Sequence, residues 1–212
     1  MFKLNKKEAE YYLIKIFDFI ENGDSKFKGH PGLYFFHTKT ELKEKINELL
    51  SENEYDEFDL YYITSLLIKF MLGRYDSHTK VSFKDNIYIP IDFTVEENSL
   101  YVTNISPIYK KLIGGKLLKI NNIDIQRILC ELEEIICYST KEHLLVMIQS
   151  FLSDVNALKS LPSIENNTEE FIYTILNDNN EKENITFNIN NLPEFYSVHF
   201  PENYSTEVIN NC

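Results

Sequence analysis

Asp76, Ser77 and His78 stand consecutively in GRYDSHTKVSF (73–83), and they are the residue types of an orienting carboxylate, a nucleophile and a base. That chemistry requires each group to lie within about 3 Å of the next. Successive side chains of an extended segment project to alternating faces, so these three do not form a triad among themselves. Metal binding by Asp76 and His78 would need further ligands, yet the sequence carries neither HExxH nor a second His/Asp cluster at ligand spacing. A structural reading fits better: Asp76 follows a helix end, where its carboxylate can accept from backbone N–H groups of the turn. His78 is then a hydrogen-bonded junction residue, and Thr79 marks where the residue pattern changes.

Other chemical signatures are missing from the sequence. There is no GxSxG elbow, no GxxxxGK[ST] loop and no SxxK, and a lone IGG is no dinucleotide fingerprint. His30, His37, His143 and His199 fall in different elements. No catalytic residue, metal ligand or cofactor is therefore expected. Cys130, Cys137 and Cys212 are an odd number without CxxC spacing, which argues against a disulfide framework or a zinc site and for reduced thiols in the cytoplasm. Cys130 and Cys137 are expected on one helix face as small hydrophobes, and the glutamates of ELEEI as a solvated helix face.

The elements that must position these residues follow from the apolar spacing. A chain of 212 residues with 43% apolar residues can bury a core. No 18-residue apolar run is present, so neither a membrane span nor a signal peptide is expected. The net charge is −12, and no basic stripe interleaved with aromatics occurs, which excludes nucleic acid as the expected partner.

Apolar residues recur at helical spacing at Ala9, Leu13, Ile16, Phe17 and Ile20, then Leu42, Ile46, Leu49 and Leu50, then Leu60, Ile63, Leu67, Phe70 and Met71. Three helices are predicted, the second opened by a Thr38/Glu41 capping box. Beyond Gly73–Thr79 the period becomes two. Ile87, Ile89, Ile91, Phe93 and Val95 alternate with polar residues, and a turn at EEN leads into SLYVTNIS as a hairpin. Pro90, lacking an N–H, puts this strand at a sheet edge. A strand over GGKLLKI, a helix over Ile125–Ile136, a helix capped by Ser139 and Glu142 and carrying Leu144, Leu145, Ile148, Phe151 and Leu152, and a closing hairpin of EEFIYTIL and ENITFNI complete the expectation.

The order of these motifs resembles the N-terminal half of the C-terminal-processing (tail-specific) serine peptidases. In that family a helical region ends in D-x-H-[TS], matched by Asp76, His78 and Thr79, and leads into a PDZ-like domain. The stretch SPIYKKLIGGKLLKINNIDI looks like the family's run there, matching at Ser106, Pro107, Gly115, Leu118, Ile120 and Asn121. Departures stand at Lys116 and Asn122, and no carboxylate-binding G-Φ-G-Φ loop precedes IPIDFTV. The resemblance spans roughly residues 6–190. It implies an α+β fold, with an N-terminal three-helix bundle over 1–75, a PDZ-like domain of antiparallel strands and two to three helices over 76–192, and an irregular tail or start of a further domain over 193–212.

The family's serine nucleophile and lysine base lie beyond the PDZ-like domain, and nothing in residues 1–212 matches that core. Whether the chain belongs to an enzyme therefore stays open: it is read either as the front of a longer peptidase or as a product without the catalytic part. The expectation is a non-catalytic recognition and gating region that binds a polypeptide substrate or partner by strand addition. Ile89, Ile91 and Phe93 would form the edge strand, and Leu144, Ile148 and Phe151 the facing helix. A stand-alone protein-binding adaptor or structural module is the alternative. The oligomeric state is unknown.

Overall fold

The structure is a computed structural model that describes residues 3–22, 39–51, 57–72, 81, 86–193 and 195. Two short strands open it, β1 (Lys3–Asn5) and β2 (Glu57–Asp59), paired antiparallel with Leu4 opposite Phe58. Each leads directly into a helix, α1 (Lys6–Asn22) from β1 and α3 (Leu60–Leu72) from β2, with α2 (Lys39–Ser51) between them in sequence.

Local hydrogen bonds start two of these helices. Asn5 Oδ1 accepts from the backbone N–H of Lys7 and Glu8, while Glu8 Oε2 accepts from the N–H of Asn5, a reciprocal capping box. Asp59 Oδ1 accepts from Tyr62 N–H at 2.9 Å and starts α3. Ala9, Leu13, Phe17, Ile46, Leu49, Leu50, Ile63, Leu67 and Met71 then form one buried cluster with Leu4 and Phe58. These are the positions the helical spacing selects. The β1–β2 ribbon is an addition, because three-residue strands are too short to display a period.

The remainder is built on an antiparallel sheet of β3 (Ile91–Glu96), β4 (Ser99–Ile105), β5 (Lys116–Ile120), β6 (Ile123–Asp124), β7 (Glu170–Leu176) and β8 (Lys182–Asn188). The strand order is β3-β4-β5-β7-β8, with β6 paired to β5. Helices α4 (Ile125–Ile135), α5 (Lys141–Phe151) and α6 (Val155–Ser160) supply the other layer, and Pro107–Leu112 forms a 3-10 turn after β4. Ile128, Leu132, Leu144, Ile148 and Leu158 meet Phe93, Val102, Leu117, Tyr173 and Phe187 in one large core. Tyr173 stacks on Phe93 at 6.0 Å and meets Phe187 edge-on at 5.9 Å, while its buried hydroxyl donates to Leu152 O at 2.7 Å. The architecture is a mixed α+β one with antiparallel sheets.

Helix α3 serves both cores. Ile63, Leu67 and Met71 enter the helical cluster, Tyr61 enters the sheet cluster, and Leu66 packs against both. Polar ties fasten it to α4: the Tyr62 hydroxyl donates to Glu134 at 3.2 Å, and Lys69 donates to the Glu133 carbonyl with its ammonium 5.2 Å from the Tyr138 ring centre.

Several local expectations are corrected. The cap of α5 is Thr140, one residue later than expected, and its Oγ1 accepts from His143 N–H. Cys130 is exposed on α4, whereas Cys137 lies buried beyond the end of that helix, so the two do not share a helix face. Glu131 of ELEEI is not solvated: it is 5% exposed and accepts from Arg127 Nε, Ser163 N–H and Ser163 Oγ–H. A carboxylate that loses water must regain hydrogen bonds, and the loop after α6 supplies them. The Gly73–Thr79 boundary, Thr38, His30, His37, His199 and Cys212 lie outside the described residues. No helix among the described residues is long and apolar enough to cross a membrane.

Candidate functional site

β3 ends the sheet, and its geometry follows from the turn after it. Glu97 and Asn98 both have positive φ, 47° and 64°, which closes a two-residue turn whose twist suits paired strands. The register runs Glu96↔Ser99, Val95↔Leu100, Thr94↔Tyr101 and Phe93↔Val102, then shifts between Asp92 and Phe93 before Asp92↔Asn104 and Ile91↔Ile105. Antiparallel pairs alternate between hydrogen-bonded and open ones, and the turn makes Glu96↔Ser99 a bonded pair. Val95 therefore directs its N–H and C=O away from β4. Among the described residues no strand lies on that side of β3.

The chain just before β3 is covered on that side. Ile89 N–H donates to Ser153 O at 2.8 Å, Val155 N–H donates to Ile87 O at 3.0 Å, and the Ser153 hydroxyl donates to Ile91 O. Tyr88 and Asp154 form an antiparallel bridge within this patch. Side chains tie it further: Asn86 Nδ2 donates to Asp154 Oδ2 at 3.0 Å and Asn156 Nδ2 to Asn86 Oδ1 at 2.7 Å. Asp154 also caps α6 by accepting from the N–H groups of Asn156 and Ala157. Burial raises the Tyr88 hydroxyl above its ordinary value, and the neighbouring Asp154 carboxylate pushes it the same way.

The open track is thus Phe93–Glu96, with outward backbone groups at Phe93 and Val95. Helix α5 packs on β3, and the structure brings all six residues of the expected peptide site into one core. Ile89, Ile91, Phe93, Leu144, Ile148 and Phe151 are each no more than 6% exposed. The space near Ser65, Ile68, Met147 and Phe151 amounts to about 10 Å³, room for at most one water. The six side chains therefore join the strand to the helix, and the accessible surface is the backbone edge. Asp76, His78 and Thr79 lie outside the described residues. No group of three or more His, Cys, Asp or Glu among the described residues could hold a metal ion.

The Ser153–Val155 cover is the feature that sequence reasoning missed. Its signal is Asp154 three residues before Ala157, an N-cap spacing that announces a short helix and hence a bend in the chain after α5.

No family model matches the chain, and no curated protein matches it. Solved structures do. Mature CPAF, a chlamydial serine protease, in complex with lactacystin has a TM-score of 0.59 at 14% identity. Mature CPAF gives 0.56 at 12%, and a serine-to-alanine CPAF mutant gives 0.54 at 14%. Each match covers 86% of this chain and 34% of CPAF, so the chain spans about a third of the length of the structures it resembles. The likeness is one of fold.

Proposed function

We propose that this chain is a non-catalytic substrate-recognition and gating region of a tail-specific, serine peptidase-like protein, with the sheet and α4–α6 as its PDZ-like part. On this reading an extended polypeptide adds as a strand beside β3. The observation that carries it is the edge position of β3, with the N–H and C=O groups of Phe93 and Val95 facing away from β4 and no strand beside them among the described residues. Such an edge is a template for a further strand. Its neighbouring side chains are spent on the core, so main-chain hydrogen bonds supply the affinity. The fold shared with part of CPAF supports the peptidase setting.

Amide hydrogen exchange tests this. Saturation with an extended ten-residue peptide selected for binding should slow exchange at Phe93 and Val95, whose N–H groups face away from β4, and leave β8, at the opposite edge of the sheet, unchanged. Protection confined to β8, or to the helices, would overturn it.

A further inference from the structure

The two ends of the open track differ, and neither suits a negatively charged chain terminus. A strand added antiparallel to β3 would bring its C-terminal end to Ile91; a parallel one would bring it to Glu96.

At the Ile91 end most of the backbone donors are spent. Ile89 N–H donates to Ser153 O, Ile91 N–H to Ile89 O, Asp154 N–H to Phe151 O, and Val155 N–H to Ile87 O. Asn156 and Ala157 N–H donate to the side chain of Asp154, and Leu158 N–H to its carbonyl. A carboxylate arriving there meets no free N–H among these residues, and burying it without donors is costly. The start of α6 is already filled by the chain's own carboxylate, Asp154.

The Glu96 end carries exposed carboxylates instead. Glu96 ends the strand and Glu97 begins the turn, both exposed, in a chain of net charge −12. A terminal carboxylate beside them is repelled, whereas a lysine or arginine is attracted. The track itself is four residues, about 13 Å of extended chain.

We infer that the edge of β3 takes an internal stretch of extended polypeptide, with a lysine or arginine beside the Glu96–Glu97 turn, and not a free C-terminal carboxylate. This rests on the strand-addition reading. The cover over Ile87–Ile91 then acts as a stop: a longer chain must turn away from the sheet at Ile91, and the bound window is fixed to Phe93–Glu96.

Two phage-displayed random ten-residue libraries test it, one with a free C-terminus and one flanked on both sides by carrier protein. The flanked library should enrich basic sequences. Synthesised as free acids and as amides, those peptides should bind within about threefold of each other, and the double variant Glu96→Gln, Glu97→Gln should weaken them severalfold. Enrichment from the free-terminus library alone, or a tenfold or greater loss on amidation, would overturn the inference while leaving strand addition standing. An unaltered affinity in the double variant would overturn its charge component. Enrichment from neither library would overturn strand addition and this inference together.

Discussion

The hydroxyl of Ser153 donates to the carbonyl oxygen of Ile91, the first residue of β3, across a buried contact. Ser153→Ala leaves that carbonyl without this donor, and a lost buried hydrogen bond costs about 1–2 kcal/mol. Urea unfolding of the variant should show a lower midpoint with an unchanged slope, because the surface exposed on unfolding stays the same. An unchanged midpoint would mean that the cover over Ile87–Ile91 is held by its backbone bonds alone.

Asn121 does two things at the β5–β6 turn. It holds φ at 49°, and its Oδ1 accepts from Ile172 N–H at 2.7 Å while its own N–H donates to Ile172 O at 2.8 Å. Asn121→Ala loses both the side-chain bond and the tolerance for positive φ, a combined cost of about 2–3 kcal/mol. Asn121→Gly restores the conformational freedom and should recover part of that loss, and Asn121→Asp, which keeps the acceptor, should recover more. The ranking is read from thermal midpoints, and a glycine variant as weak as the alanine one would assign the whole effect to the hydrogen bond.

What was readable in advance follows one rule. Ile91 and Phe93 alternate with polar neighbours, and Leu144, Ile148 and Phe151 recur at helical spacing, because burial against a partner layer imposes those periods. The edge position of β3 was readable from Pro90, and the turn at Glu97–Asn98 from its polar residues. Contacts that join distant segments left no such trace. Asp154 pairs with Asn86, and Glu131 is buried by Ser163. In both cases a polar residue looks solvated until the chain folds back over it. The six candidate site residues were identified as neighbours for the same reason that makes them core: apolar periodicity reports burial, and says nothing of whether a groove between two elements stays open.

Gly114 and Gly115 are adjacent but needed for different reasons. Gly114 has φ of 86°, and a Cβ there would meet only Asp178 Oδ1, at 3.9 Å, whereas a Cβ on Gly115 would stand 2.5 Å from Ile175 Cγ2 and 3.0 Å from the Leu112 carbonyl oxygen. Gly114→Asn should cost about 1 kcal/mol or less through backbone strain alone, since asparagine tolerates the left-handed region better than other side chains. Gly115→Ala should cost about 1–3 kcal/mol through overpacking against β7. Chemical denaturation of the two variants separates the causes, and equal losses would contradict the close approach at Gly115.

Asp59 makes the stability of the helical region depend on pH. Its Oδ1 caps α3, while its Oδ2 is buried without a hydrogen-bond partner among the described residues. Burial pushes its carboxyl above the ordinary range, against the bonds from Tyr62 and Tyr61 that pull it down. Between the ordinary value and the raised one, the folded state holds more protons than the unfolded state, so this group lowers stability as pH rises through that window. Above it the penalty is complete; below the ordinary value it vanishes, because the carboxyl is protonated in both states. Asp59→Asn keeps an oxygen for the cap and removes the charge. The variant should therefore be more stable than the parent at pH 7, and its advantage should shrink on acidification and be gone below the ordinary carboxylate value. Paired denaturation curves at pH 7, 5 and 3 read this directly, and a variant less stable than the parent at pH 7 would show that the second oxygen is compensated in the folded chain.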